Sequence, residues 1–237
     1  MNAVPAPIAL AEVLARGDVW RGDALASLPV AAIPSGYPEL DAELPGGGWP
    51  RGSLVELLAD RGGCGEMSLL LPALARLSGE GGWLALVAPP WRPHAPAWAA
   101  AGLRPERLVV IRPGDRFAWC LEQLLGSGGF AGILAWPGAA IDARALRRLQ
   151  VAAEGRTVFA ALWRSTVTAA APSPAPLRVA FAADGGGLSV RILKRRGRPA
   201  SRPLALAVPR PGRNPRVVAG PAFSAAAAGS AAAAAVA

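Results

Sequence analysis

The stretch that decides the fold is SLVELLADRGGCGEMSLLLPALARLSG, residues 53–79. Its first six residues are apolar apart from Ser53 and Glu56. They read as a strand, and four glycine or turn residues close it. From Gly65 the apolar residues recur at helical spacing up to Gly79, which predicts a helix. A buried strand, a glycine-rich turn and a helix form the opening half of a crossover unit.

The same alternation continues outward. GWLALVAPP (82–90), RLVVIRP (107–113), FAGILAWPG (130–138) and TVFAALW (157–163) read as strands. HAPAWAAAGL (94–103), DRFAWCLEQLLGSG (115–128) and IDARALRRLQVAAEG (141–155) read as the helices between them, with Asp115 and Asp142 as N-terminal caps. Four of the strands are apolar throughout and do not alternate. That is the signature of a parallel sheet covered by helices on both faces. PLRVAFAAD (176–184) and GLSVRILKRRGRP (187–199) alternate more and flank a GGG turn, so a C-terminal hairpin is expected at the sheet edge. The fold class is α/β: a doubly wound, mostly parallel sheet.

The expected organisation is an N-terminal helix (5–17) and extended segment over 1–30, an α/β domain over 31–210, and an Ala/Gly/Pro-rich tail over 211–237. That tail is too poor in core-forming residues to fold. With 237 residues and 52% hydrophobic composition, one sizeable core is expected. No apolar run reaches the roughly 18 residues of a membrane span. The first 23 residues lack a basic lead-in and apolar block, so the chain is expected to be cytoplasmic. Two cysteines, Cys64 and Cys120, make no disulfide framework, and Cys64 reads as a turn or core thiol. One histidine, His94, makes a metal centre or a histidine-based catalytic pair improbable. Neither a catalytic residue nor a bound metal or cofactor is expected.

Residues 60–67 sit where a phosphate loop, G-x-x-x-x-G-K-[ST], would lie. Its glycines let backbone N–H groups wrap phosphates. Its lysine neutralises their charge, and its hydroxyl ligates Mg²⁺. Anchored on Gly65, Asp60 stands at the first glycine, Glu66 at the lysine and Met67 at the hydroxyl. Gly62, Gly63 and Gly65 are retained. Two like charges a few ångströms apart repel by roughly 1 kcal/mol in water and more when partly buried, so Glu66 opposes a triphosphate. The strand that would end in a metal-binding Asp ends instead in Trp136 and Pro137. The loop is degenerate.

IPSGYPELDAELPGGGWPRGSLVELL (33–58) resembles the segment that precedes the phosphate loop in RecA-like proteins. Together with VWRGD (19–23), GWLALVAPP, AGLRPERLVVIRP, GILAWPG, ALRRLQVAAEG and LKRRGRP, it is similar to the ImuA family, over roughly residues 12–210. The resemblance implies a RecA-like, P-loop-type fold without ATPase chemistry. It implies an accessory role in damage-inducible translesion DNA synthesis. The partners it implies are an ImuB-type Y-family-like protein and an error-prone C-family DNA polymerase complex, with RecA and single-stranded DNA as further candidates. The alternatives are an ATP-dependent DNA-handling enzyme with an atypical site and a SulA-like cell-division inhibitor.

The net charge is +9, with Lys194 the single lysine. Such a balance draws the chain toward nucleic acid or an acidic partner. Arg144, Arg147 and Arg148 share one side of the 141–155 helix, opposite Leu146, Leu149 and Ala153. They read as a solvated face or a docking face. Lys194, Arg195, Arg196, Arg198 and Arg202 crowd the end of the hairpin. The first four are candidate contacts for a partner or DNA, against a charge-protected edge. Trp83, Trp119, Trp136 and Trp163 are expected in the core. Trp20, Trp49, Trp91 and Trp98 lie in turn-rich contexts, and Trp20 with Arg21 is the preferred interface anchor.

Overall fold

A computed structural model describes residues 31–60, 65–138, 141–185, 187–196 and 202–209. The helix expected over 5–17, the tail over 211–237, and Trp20, Arg21, Gly62, Gly63, Cys64 and Arg198 lie outside these residues.

Eight strands form the main sheet, in the order β10-β9-β8-β3-β7-β6-β4-β5. β3 is Ser53–Leu58, β4 Leu84–Val87, β5 Leu108–Ile111, β6 Gly132–Ala135, β7 Phe159–Arg164 and β8 Leu177–Asp184. These six run parallel. β9 (Gly187–Lys194) turns back antiparallel to β8, and β10 (Leu204–Leu206) pairs antiparallel with β9. The expected hairpin is therefore present but is not the edge. A three-residue strand too short to announce itself covers β9, a common way of blunting an edge.

A second small sheet pairs β1 (Ala32–Ile33) with β2 (Trp49–Pro50). It brings Gly48 so close to Ile33 that a Cβ would sit 2.2 Å from the Ile33 carbonyl oxygen. This pairing corrects the reading of Trp49. Trp49 lies in no open turn but is fully buried, its ring centroid 6.0 Å from that of Phe159. The one-turn helix α1 (Pro38–Asp41) connects the two strands.

Helices cover both faces, as the continuous apolar strands require. On one face lies α2 (Glu66–Gly79), whose Leu69, Leu70, Ala73, Leu74 and Leu77 are buried against Val55, Leu57 and Phe159. Each such leucine stabilises the fold by about 1.5–3 kcal/mol. The short α3 (Ala95–Ala100) is capped by the His94 ring, whose Nδ1 accepts from the Ala97 N–H at 3.3 Å. On the other face, α4 (Phe117–Ser127) and α5 (Ala143–Ala153) bury Leu121, Leu125, Leu146 and Leu149 against Leu54, Val87 and Ile133. Asp142 caps α5 as expected, accepting from the Ala145 N–H at 2.6 Å. Asp115 does not cap α4. It sits within a 3₁₀ turn, Gly114–Arg116, that precedes the helix.

The tryptophans divide differently from expectation. Trp163 is buried and Trp136 packs against the core. Trp83 and Trp119 are instead 41% and 52% exposed. Trp83 stands just ahead of β4 and Trp119 on the outer face of α4, and each carries an arginine over its ring. Arg107 lies 5.2 Å from the Trp83 centroid and Arg116 4.2 Å from that of Trp119.

Candidate functional site

Open parallel sheets place their ligand sites beyond the carboxyl ends of the strands. Here that rim carries Asp60 after β3, the first turn of α2, Trp136 after β6, and Trp163 and Arg164 at the end of β7. The helix α2 begins at Gly65, whose φ of +109° is a left-handed conformation suited to glycine. Its backbone N–H is the type of donor that a phosphate loop turns toward a phosphate oxygen. In this chain it donates to Glu66 Oε2 at 3.0 Å. A carboxylate from the chain itself thus occupies the helix N-terminus, where negative charge is favoured.

Trp136 stacks on Trp163 with centroids 4.5 Å apart and planes 15° from parallel. The indole pair fills the ends of β6 and β7, where a metal-binding carboxylate would stand. Trp163 Nε1 is buried without a hydrogen-bond partner. Asp60 accepts from the Thr166 hydroxyl, which ties the end of β3 to the segment after β7. At the described rim, Glu66, Met67 and Trp136 stand at the positions of the loop lysine, the loop hydroxyl and the metal-binding carboxylate. They supply no cation at the lysine position, no hydroxyl at Met67 and no carboxylate at Trp136. Among the described residues no group of His, Cys, Asp and Glu is arranged to hold a metal.

A second cluster escaped sequence reasoning. Glu56, in the centre of β3, is fully buried. Arg178 Nε lies 2.6 Å from Glu56 Oε2, Arg164 Nη1 3.2 Å from Oε1, and the Ser173 hydroxyl donates to Oε1 at 2.8 Å. Arg178 extends further, donating to the carbonyls of Thr168, Ala169 and Ala171. Glu56 and Arg178 therefore clamp the segment between β7 and β8 onto the sheet. The signal was present in the sequence: one carboxylate in an otherwise apolar strand must find cations.

The basic candidates separate into distinct roles. Arg144, Arg147 and Arg148 are exposed on the outer face of α5, with Leu146, Leu149 and Ala153 buried opposite. Arg148 Nε lies 3.3 Å from Glu122 Oε2 of α4. At the hairpin, Lys194 Nζ donates to the Ser173 carbonyl at 2.7 Å, and Arg196 is exposed. Arg195 corrects the expectation of a contact surface. Its side chain is 6% exposed and holds Glu43, with Nη1 2.6 Å from Oε2. Arg195 lies just past the end of β9 and joins the hairpin to the segment after α1 instead of facing solvent.

Comparison with known proteins finds similarity to RecA proteins over about half of the chain. The chain is 33% identical to Protein RecA 1 of Myxococcus xanthus over 132 residues, which is 54% of this chain and 38% of that protein. It is 36% identical over 118 residues to RecA of a Picosynechococcus strain, covering 47% of this chain and 32% of that protein. RecA of an Arthrobacter strain is 34% identical over 119 residues, with 48% and 32% covered. The chain thus spans about a third of the length of the curated relatives it matches. No family model matches. The homology and the mostly parallel sheet together make this a RecA-like α/β fold.

Proposed function

We propose that this chain is a non-catalytic, RecA-like accessory protein of a damage-inducible translesion DNA synthesis complex, an adaptor of the ImuA type. The observation that carries this reading is the rim of the sheet. Glu66 satisfies the Gly65 N–H from within, and the Trp136–Trp163 pair stands where a metal ligand would be. Phosphoryl transfer depends on positioned cations around the transferring phosphate, and among the described residues none stands at the lysine position, which is Glu66. What the rim has given up, the outer surface supplies in arginine and tryptophan, the residues enriched at binding hot spots. In this reading the protein works by protein–protein contacts, with an ImuB-type Y-family-like protein and an error-prone C-family polymerase as partners. RecA is a further candidate. Any contact with single-stranded DNA is weak and salt-sensitive, made through exposed arginines such as Arg196.

Co-purification of the chain with an ImuB-type protein tests the proposal. A stable complex at physiological salt is the expected result. Failure to bind any component of such a complex, or RecA, removes it.

A further inference from the structure

The helices α4 and α5 are consecutive crossovers on the same sheet face, so they lie side by side and run in parallel. Their outer faces meet in a shallow groove of about 240 Å³ lined by Glu122, Arg147, Arg148, Val151 and Ala152. Val151 is 62% exposed there, a β-branched apolar side chain on a helix surface between two cations and a carboxylate. Arg144, Arg148 and Val151 stand at i, i+4 and i+7, so they form one stripe along α5. The Arg148–Glu122 pair spans the two helices. One turn back from each partner, Trp119 and Arg144 are exposed on the outer faces of α4 and α5. The stripe from Arg144 to Val151 is about 10 Å long.

Charge and apolar surface are both left over on this face. Glu122 is engaged by Arg148, and Asp142 by its cap. Arg144 and Arg147 have no ion pair or side-chain hydrogen bond to any described residue. Trp119 and Val151 are exposed apolar side chains on the outer faces of α4 and α5. Such a face is complemented by an apolar ridge flanked by carboxylates, two turns long. An amphipathic helix laid in a groove has that form. A phosphate backbone would answer the arginines but leave Val151 uncovered.

We propose that the α4–α5 groove is the seat for a short acidic amphipathic helix of a partner protein. Its apolar side chains rest on Trp119 and Val151, and its carboxylates meet Arg144 and Arg147. This names the partner chemistry of the adaptor and rests on the adaptor reading for its biological use.

The probe is a fluorescein-labelled Leu/Glu peptide of about 14 residues with its leucines on one helical face, titrated into the full chain and followed by anisotropy. A scrambled peptide of the same composition and an oligo-dT strand are the comparison ligands. The Leu/Glu peptide is expected to bind, and about tenfold more weakly to Arg147→Glu and to Val151→Asp. Arg76→Ala, on the exposed side of α2, should bind the peptide as the unaltered chain does. Far-UV circular dichroism establishes that each variant is folded. Absence of binding overturns the proposal, as does equal binding of the scrambled peptide. Oligo-dT affinity that falls with Arg147→Glu while the peptide's does not reassigns the face to nucleic acid.

Co-purification with an ImuB-type protein separates the two readings. If Arg147→Glu and Val151→Asp both co-purify unchanged, the groove is overturned and the adaptor reading stands. If the unaltered chain does not co-purify, the adaptor reading falls, and the peptide titration still decides the groove.

Discussion

Replacing Glu56 by Gln keeps the side-chain volume and removes the charge at the centre of a buried network. Glu56 is fully buried, and the side chains of Arg178 and Arg164 are only 6% and 14% exposed. Water cannot take over from the lost carboxylate. Arg178 keeps its bonds to the carbonyls of Thr168, Ala169 and Ala171, but these neutral acceptors do not balance its charge. Breaking a buried pair by removing one partner costs about 3–5 kcal/mol. That is a large share of the roughly 5–15 kcal/mol that holds a domain together. For a chain of this size it lowers Tm by about 6–20 °C. Urea unfolding followed by far-UV circular dichroism measures the loss. Replacing both Glu56 and Arg178 by Leu should recover much of it, since no charge is then left unpaired. By contrast, Arg76→Ala breaks a pair 58% exposed on both sides and should change stability by less than about 1 kcal/mol. A Glu56→Gln protein as stable as the original refutes the reasoning that the network is the keystone of the segment between β7 and β8.

Other predictions concern single groups. Tyr37 is the chain's single tyrosine, so absorbance of the phenolate reads it alone. Burial raises its pKa above 10.0, and its hydroxyl donates to the Ser68 carbonyl at 3.2 Å. The folded state holds this proton more tightly than the unfolded state. Tyr37 therefore contributes stability below pH 10 that is lost as pH rises through the folded value. The phenolate midpoint should lie above 10 in the native protein and fall back on unfolding. Arg195→Ala should destabilise the fold by about 1–3 kcal/mol, because it leaves Glu43 without its buried partner. Arg196→Ala should leave unfolding midpoints within about 0.5 kcal/mol. Any effect of the hairpin on oligonucleotide affinity should follow Arg196 and not Arg195, in titrations at two salt concentrations.

Most of the fold was legible because its strands carry one message at every position. β3 was read to the residue, and β4 to β8 were found within a few positions, since an apolar run bounded by Pro or Gly leaves little choice. What escaped was set by tertiary pairing. β1, β2 and β10 are two or three residues long, too short for any period to show. Trp49 looked like a turn residue because Gly and Pro surround it, yet those same residues let it turn inward. Trp83 and Trp119 looked like core because of their apolar neighbours. An arginine stacked on each ring makes exposure tolerable, and no periodicity announces such a pair. At the rim, Glu66 and Trp136 were recognisable by what they replace. Glu56 and Arg178 were not, because a residue 122 positions away supplies the countercharge. The same holds for Arg195, whose partner Glu43 lies 152 positions upstream.

The central claim is that a RecA-like sheet here carries a rim without phosphate chemistry. Calorimetric titration with Mg–ATP, in the presence and absence of single-stranded DNA and followed by an assay for released phosphate, tests it most directly. The account predicts no saturable heat and no phosphate release above the buffer rate, even at high protein concentration. A saturable heat with turnover, lost when Glu66 or Asp60 is altered, would contradict it.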